Sequence, residues 1–377
     1  MRLLHLADLH LGWVPGYLPE EKQKVRRWER DQLLEKAVDF ALSPQGNIQA
    51  VLIVGDLFED YCPEEPLVKH VMGQIHRLTK AGLLVVTVPG NHDEITYHDS
   101  VYRRYGEHWP GLLVRNPMPE LLVSRQLNGT VLHIYSLAYT GGLTNLSALD
   151  TFPRTDVPGL HIGAFHGSLD WKGLPDRSLP LNSTQLAAAG YDYIALGHYH
   201  RYSEKKVGSA KAVYPGAVEF KSFSDPGSGC FTILEEKGGD LEIEKVPPAH
   251  LRHYQFHELE ISSFTNLEEI CETCRKLTDP EIMLHLTLSG TPRFSFQEEQ
   301  LATALEADYF YIELQNKVHY FTDSFLENIA REPTVRGLFV RRLQEKQQAA
   351  ATEREQKVLE LALLKGLAAL EGSGHGE

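Results

Sequence analysis

Leu83-Leu84-Val85-Val86-Thr87-Val88-Pro89-Gly90-Asn91-His92-Asp93 is an apolar, β-branched run that stops at a Pro-Gly pair. Its length and branching predict a buried strand. Pro89 and Gly90 end that strand, so Asn91 and His92 fall on the turn at its carboxyl end, where open α/β sheets bind ligands. The Asn91 amide oxygen suits a hard divalent cation. His92 is placed beside it to donate a proton or a hydrogen bond without being a ligand itself.

The neighbouring segments repeat this design. Arg2 to Ala7 reads as a strand delivering Asp8-Leu9-His10-Leu11-Gly12, and Ala50 to Val54 as one delivering Gly55-Asp56-Leu57-Phe58. Between them lies an amphipathic helix, Lys22 to Leu42, with Val25, Trp28, Leu34, Ala37, Val38 and Ala41 facing inward. A second helix, Glu64 to Lys80, follows. The β-α-β-α-β order predicts a sheet with helices on both faces. Beyond Asp93 the pattern turns to β. Asn128-Gly129 is a hairpin signal between Leu121 to Val123 and Thr130 to Leu137. Leu160 to Phe165 ends at His166-Gly167, and Tyr191 to Leu196 ends at Gly197-His198-Tyr199-His200. Pro247-Pro248 marks a boundary. We expect a catalytic domain over 1–250, a small strand–helix–strand–helix–strand unit over 251–322 and helices over 323–377. The final helix, Lys357 to Leu370, carries too much apolar surface to stand free.

Composition narrows the function. The formal charge of −14 disfavours a polyanion as partner unless bound cations or a basic protein offset it. The four cysteines imply no disulfide framework, and Cys271 and Cys274 share a helical face with Leu267, Ile270 and Leu277, so they are expected to pack. No apolar run is long enough to span a bilayer, and Met1 to Leu6 reads as a strand rather than a leader, so the expected place is a reducing cytoplasm.

The strand ends together present Asp8, His10, Asp56, Asn91, His92, His166, His198 and His200, and a single sheet would gather them along one edge. Carboxylates, an amide and imidazoles are the donor set of a two-metal site. One carboxylate must bridge if the ions are to approach within about 3.5–4 Å, and Asp56 is the candidate. Asp8, His10 and His200 complete one ion, and Asn91, His166 and His198 the other. The i, i+2 spacing of Asp8/His10 and of His198/His200 places both members on one side of an extended chain. Mixed oxygen and nitrogen donors favour Mn²⁺ over a thiolate-rich structural zinc, with Fe and Zn as alternatives. Such a site hydrolyses phosphoesters, with His92 assisting the leaving oxygen. His133, His161 and His285 fall inside predicted strands and read as structural.

The motifs Ala7-Asp8-Leu9-His10-Leu11-Gly12, Gly55-Asp56-Leu57-Phe58, Gly90-Asn91-His92-Asp93, Gly197-His198-Tyr199-His200 and Tyr214-Pro215-Gly216 resemble those of the calcineurin-like metallophosphoesterase superfamily. Within it they are most similar to SbcD-type DNA-repair exonucleases. That resemblance implies a two-sheet metallophosphoesterase sandwich flanked by helices, with a small α/β capping domain and C-terminal helices. It also implies a Mn²⁺-dependent DNA nuclease, a homodimer, and an SbcC-like coiled-coil ABC ATPase as partner. A small-molecule phosphodiesterase or a phosphatase of the same superfamily is the alternative. The sequence departs from the family pattern at Glu59, where branches carry His, and at Ala217, where Ser is common. Arg26 and Arg27, with Lys22, Lys24 and Arg30, and Arg201 beyond the His-x-His pair, are candidate phosphate contacts. A solvated helix face balanced by Glu20, Glu21, Glu29 and Asp31 carries equal weight for the first group.

Overall fold

The computed structural model describes residues 1–141, 151–170, 177–292, 294, 296–319, 321 and 323–372. The chain divides into two compact units, Met1–Leu251 and Arg252–Glu377.

The first unit opens with β1 (Arg2–Leu6), α1 (Glu20–Asp31), α2 (Leu33–Leu42), β2 (Ala50–Val54), α3 (Glu65–Lys80) and β3 (Leu84–Val88). Then come the short α4 (Val101–Arg104), β4 (Leu112–Leu113), β5 (Glu120–Leu127), β6 (Thr130–Ser136), β7 (Leu160–Leu169), β8 (Leu179–Leu181) and α5 (Ser183–Ala189). It closes with β9 (Tyr193–Gly197), β10 (Ser203–Val207), β11 (Ala210–Tyr214), β12 (Phe231–Lys237) and β13 (Asp240–Val246). One sheet runs β13-β12-β1-β2-β3-β4; the other runs β10-β11-β9-β7-β6-β5, with β8 on β7.

Alternation along the strands sorts their side chains into layers. Leu3, Leu52, Val54 and Val86 of the first sheet meet Ile134, Ile162, Ala164 and Ala195 of the second. On its other face the first sheet packs Leu4, Val51, Ile53 and Val85 against Leu34, Val38, Val71 and Ile75 of α2 and α3. The second sheet covers Phe165, Ile194 and Leu196 with Leu186 and Ala189 of α5. Both sheets are therefore buried on two faces, which is why their central strands read as continuous apolar runs. Asn128 (φ 45°) and Gly129 (φ 88°) form the left-handed turn between β5 and β6.

Two expectations need correction. The helix expected over Lys22 to Leu42 is two, α1 and α2, and the first is turned the other way. Trp28 and Val25 are 64% and 41% exposed, while Arg26 and Arg30 are 1% and 0% exposed. An acidic loop, not the sheet's apolar face, lies beneath them. The strand ends also belong to two sheets rather than one, and β7 continues past His166 to Leu169.

The second unit has β14 (His253–Glu260), α6 (Leu267–Arg275), β15 (Asp279–Gly290), α7 (Glu298–Leu305) and β16 (Tyr309–Val318), its strands parallel in the order β14-β15-β16. Cys271 and Cys274 pack with Ile270, Leu284, Leu286 and Leu301. Helices α8 (Asp323–Ala330), α9 (Val335–Ala349) and α10 (Glu353–Gly372) follow. Leu363 and Leu367 of α10 are buried with Leu326, Ile329 and Val340. The chain's own helices thus cover part of the apolar surface expected to dock, while Phe325, Val335, Leu338, Val358 and Leu361 stay exposed. Among the described residues no helix is long and apolar enough to cross a membrane.

Candidate metal centre

Strands β1, β2 and β3 are parallel neighbours in one sheet, and β7 and β9 are parallel neighbours in the other, so their carboxyl ends open on a common edge of the sandwich. Where the chain leaves these strands it takes left-handed backbone at Asp8 (φ 55°), His10 (φ 49°), Asp56 (φ 49°) and His198 (φ 112°). Non-glycine residues rarely adopt this conformation, and such strain collects at functional sites.

Two sets of donor atoms lie within 4.8 Å of one another: Asp8, His10 and His200, and Asp56, His166 and His198. Asn91 belongs with the second, its Oδ1 lying 3.0 Å from His166 Nε2 and 2.9 Å from His198 Nδ1. Asp56 touches both, because its Oδ2 is 3.4 Å from His166 Nε2 and 3.8 Å from His10 Nε2. Its Oδ1 accepts from the His92 backbone N–H at 2.9 Å. Asp8 accepts from the His198 N–H through both oxygens at 3.1 Å, joining the first turn to the last.

The ring nitrogens turned away from the cage are held. His166 Nδ1 meets the Val54 carbonyl at 2.9 Å, and His200 Nδ1 meets both oxygens of Asp225 at 2.8 Å. Glu59 Oε2 approaches His10 Nδ1 at 2.7 Å, out of line with the ring N–H, and burial keeps that imidazole neutral, so the contact is neither a formed hydrogen bond nor an ion pair. His10 Nε2 and His200 Nε2 consequently face each other at 3.0 Å. Two imidazole lone pairs aimed at one point, beside two carboxylates, fit a divalent cation. A third grouping, His10, Glu59 and His92, is a poor cation site, because the Lys221 ammonium already sits 2.8 Å from Glu59.

Electrostatics follow from burial and mutual charge. Burial pushes Asp8 up to about 6, against the pull of His166 and His200. Burial pushes His10 down to about 3. For Asp56 burial works upward, but His166 above all, with His10 and His92, holds it well below the usual carboxylate range. Burial would lower His166 too; the Asp56 charge instead lifts it to about 9. Burial opposes ionisation of Glu59 as well, yet His10 and Lys221 bring it down to about 2.

His92 stands at the rim, 38% exposed, with Nδ1 on the Glu59 carbonyl at 3.0 Å. Asp93 has no sequence-assigned role, yet it is fully buried and accepts from Gly90 N–H, Leu57 N–H, Phe58 N–H and Tyr102 OH. It clamps the Asp56 turn to the Asn91 turn. Close packing requires glycine here: a Cβ on Gly90 would lie 2.2 Å from Asp56 Oδ1, and one on Gly55 2.0 Å from His166 Nδ1.

The candidate phosphate contacts divide. Arg26 is withdrawn from that role: it is buried, and its guanidinium binds Glu219 at 2.8 Å and Glu29 at 2.5 Å. A charge so deep survives only when paired, and these partners are its reason for being there. Arg27 is one-third exposed and already meets Glu64 at 2.9 Å. Arg201 is exposed. His133 and His161 are buried and stack on each other at 4.6 Å between ring centroids, away from the cage. Asp225, Glu219 and Lys221 were not singled out in the sequence, where Ser224-Asp225-Pro226-Gly227 reads only as a turn.

The sequence profile described as calcineurin-like phosphoesterase matches residues 1–202, more than half of the chain. The chain is 23% identical over 309 residues to the uncharacterized metallophosphoesterase YhaO of Bacillus subtilis (strain 168), covering 77% of this chain and 72% of that one. It is 25% identical over 272 residues to the DNA double-strand break repair protein Mre11 of Methanopyrus kandleri, covering 65% of this chain and 56% of that one. With the Mre11 of Aeropyrum pernix it shares 29% identity over 262 residues, covering 65% and 61%. The chain thus spans less than two thirds of the length of both archaeal relatives.

Proposed function

Because this chain belongs to the calcineurin-like phosphoesterase family, we propose that it is an SbcD-type DNA nuclease that cleaves phosphodiester bonds with two Mn²⁺ ions. The observation that carries the reading is the position of Asp56 Oδ2, between His10 of one donor set and His166 of the other. Asp8, His10 and His200 would hold one ion, Asn91, His166 and His198 the second, and Asp56 both. Two such cations, when bound, supply activation of a water and neutralisation of phosphoryl charge.

The chain's own residues supply the rest. The Glu59 carbonyl accepts from His92 Nδ1–H and so fixes the ring at the rim; in its imidazolium form the ring carries a second proton, on Nε2, that can pass to the departing oxygen. Asp93 holds the His92 turn rigid against the Asp56 turn, so that the proton donor keeps its distance from the ligands. DNA as substrate is favoured by the Mre11 relatives. An SbcC-like ATPase is favoured by the acidic balance, which leaves the grip on DNA to a partner, and by exposed Phe325, Val335, Leu338, Val358 and Leu361 on α8 to α10. A homodimer is the assembly that this family branch implies, and a cytoplasmic location goes with it.

Incubation with end-labelled single- and double-stranded DNA plus Mn²⁺ tests the proposal. Shortened DNA is expected. Intact DNA beside rapid turnover of a small aryl phosphodiester would favour the small-molecule reading instead.

A further inference from the structure

The loop between β11 and β12 is anchored on one side and acts on the other. Arg26 Nη1 donates to Glu219 Oε1 at 2.8 Å, and Arg30 Nη2 donates to the Phe220 carbonyl at 2.7 Å. The same Arg30 reaches the Leu9 carbonyl at 3.2 Å through Nη1, tying the loop to the Asp8–His10 turn. The Tyr17 hydroxyl donates to the Lys221 carbonyl at 2.9 Å. The loop then closes on itself, with Lys221 N–H on the Asp225 carbonyl at 3.2 Å and Asp225 N–H on Ser222 Oγ at 3.1 Å. From this frame Lys221 Nζ grips Glu59 at 2.8 Å and the Asp225 carboxylate receives His200 Nδ1.

An imidazole binds a cation through one nitrogen and keeps a proton on the other. Which nitrogen is which depends on the partner of the protonated one. With Asp225 on Nδ1, the proton stays there and the Nε2 lone pair points at His10 and Asp8. The carboxylate also makes the ring a stronger donor.

We propose, on the two-cation reading given above, that Asp225 is a positioning residue for the cation held by Asp8, His10 and His200. It acts through His200, and the buried Arg26–Glu219–Arg30 cluster keeps its loop in place. The cation held by Asn91, His166 and His198 does not depend on it, since His166 takes its orientation from the Val54 carbonyl.

Mn²⁺ binding to the full chain, followed by calorimetry and by electron paramagnetic resonance, tests this. Asn91→Ala combined with His166→Ala removes two of the four donors assigned to the other cation and leaves the half around His200 to be read. In that background Asp225→Ala should weaken the remaining ion about 10–100-fold. Asp225→Asn, which keeps an acceptor oxygen, should recover most of the loss. Unchanged affinity in Asp225→Ala, or an Asn variant as weak as Ala, would overturn the proposal. A second readout needs no variant: ¹⁵N shifts of the metal-free chain at alkaline pH should show His200 protonated at Nδ1, and a proton on Nε2 would overturn it too. Failure to cut DNA leaves these readouts standing, whereas an unmodified chain that binds no Mn²⁺ sinks both this inference and the proposed function.

Discussion

His10 Nε2 and His200 Nε2 face one another at 3.0 Å although 190 residues separate them in the chain. Asp225 holds the His200 ring by its Nδ1, and Glu59, itself held by Lys221, lies against the His10 ring. On the other side of Asp56, His166 carries a proton up to about pH 9 because the Asp56 charge outweighs its burial. A cation has to displace that proton. Mn²⁺ affinity should therefore fall as pH falls below about 9, by about tenfold per unit for the one proton. In the metal-free chain the sign reverses. A folded pKa raised above the ordinary 6.5 gives stability that is full below 6.5 and lost as pH rises through about 9. The Mn²⁺-induced rise in thermal midpoint should thus widen steadily from pH 6.5 to 9, and a constant gap would contradict this.

Gly90→Ala places a methyl 2.2 Å from Asp56 Oδ1 and 2.4 Å from its backbone nitrogen. The turn must shift, at a cost of about 1–3 kcal/mol. Because the displaced atom belongs to the shared carboxylate, both ions should weaken together. Calorimetric Mn²⁺ titration checks this; loss of only one ion would mean that Asp56 serves only one.

His92→Ala removes a rim ring that meets His10 edge-on at 4.8 Å between centroids but keeps the backbone N–H that binds Asp56 Oδ1. Metal content should be unchanged and turnover of a phosphodiester with a poor leaving group should drop about 10²–10⁴-fold. Retained turnover would remove His92 from catalysis.

Arg26→Met leaves Glu219, 3% exposed, with Arg30 at 3.9 Å as its other guanidinium contact. Breaking a buried pair from one side costs about 3–5 kcal/mol, and Glu219→Leu in the same chain should restore a large part of it. Urea unfolding of the single and double variants measures both. A neutral Arg26→Met that flattens the salt dependence of DNA binding would instead return Arg26 to the phosphate backbone.

The strands were legible because their apolar runs end in Gly, Pro or Asp. Turn chemistry fixed Asn128-Gly129, and Gly190 (φ 68°) closes α5 as a left-handed cap. The face of α1 was not legible. Periodicity placed Trp28 and Val25 inside, but the choice is made by Glu219, a charge 193 residues away from Arg26. Asp225 was hidden for the same reason: Asp-Pro-Gly is a sufficient local explanation for an aspartate, and its partner His200 is met only in three dimensions. His166 was placed at a strand end because Gly167 follows it, whereas pairing of Gly167 to Leu169 with β8 carries the strand onward. Local signals located the donors; long-range charge decided how they are held.

The most direct measurement is anomalous diffraction at the manganese edge from crystals of the full chain soaked in Mn²⁺. Two peaks about 3.5–4 Å apart are expected, with Asp56 reaching both, Asp8, His10 and His200 around one, and Asn91, His166 and His198 around the other. A single peak, or two that Asp56 does not join, would contradict the shared-carboxylate cage on which the account rests.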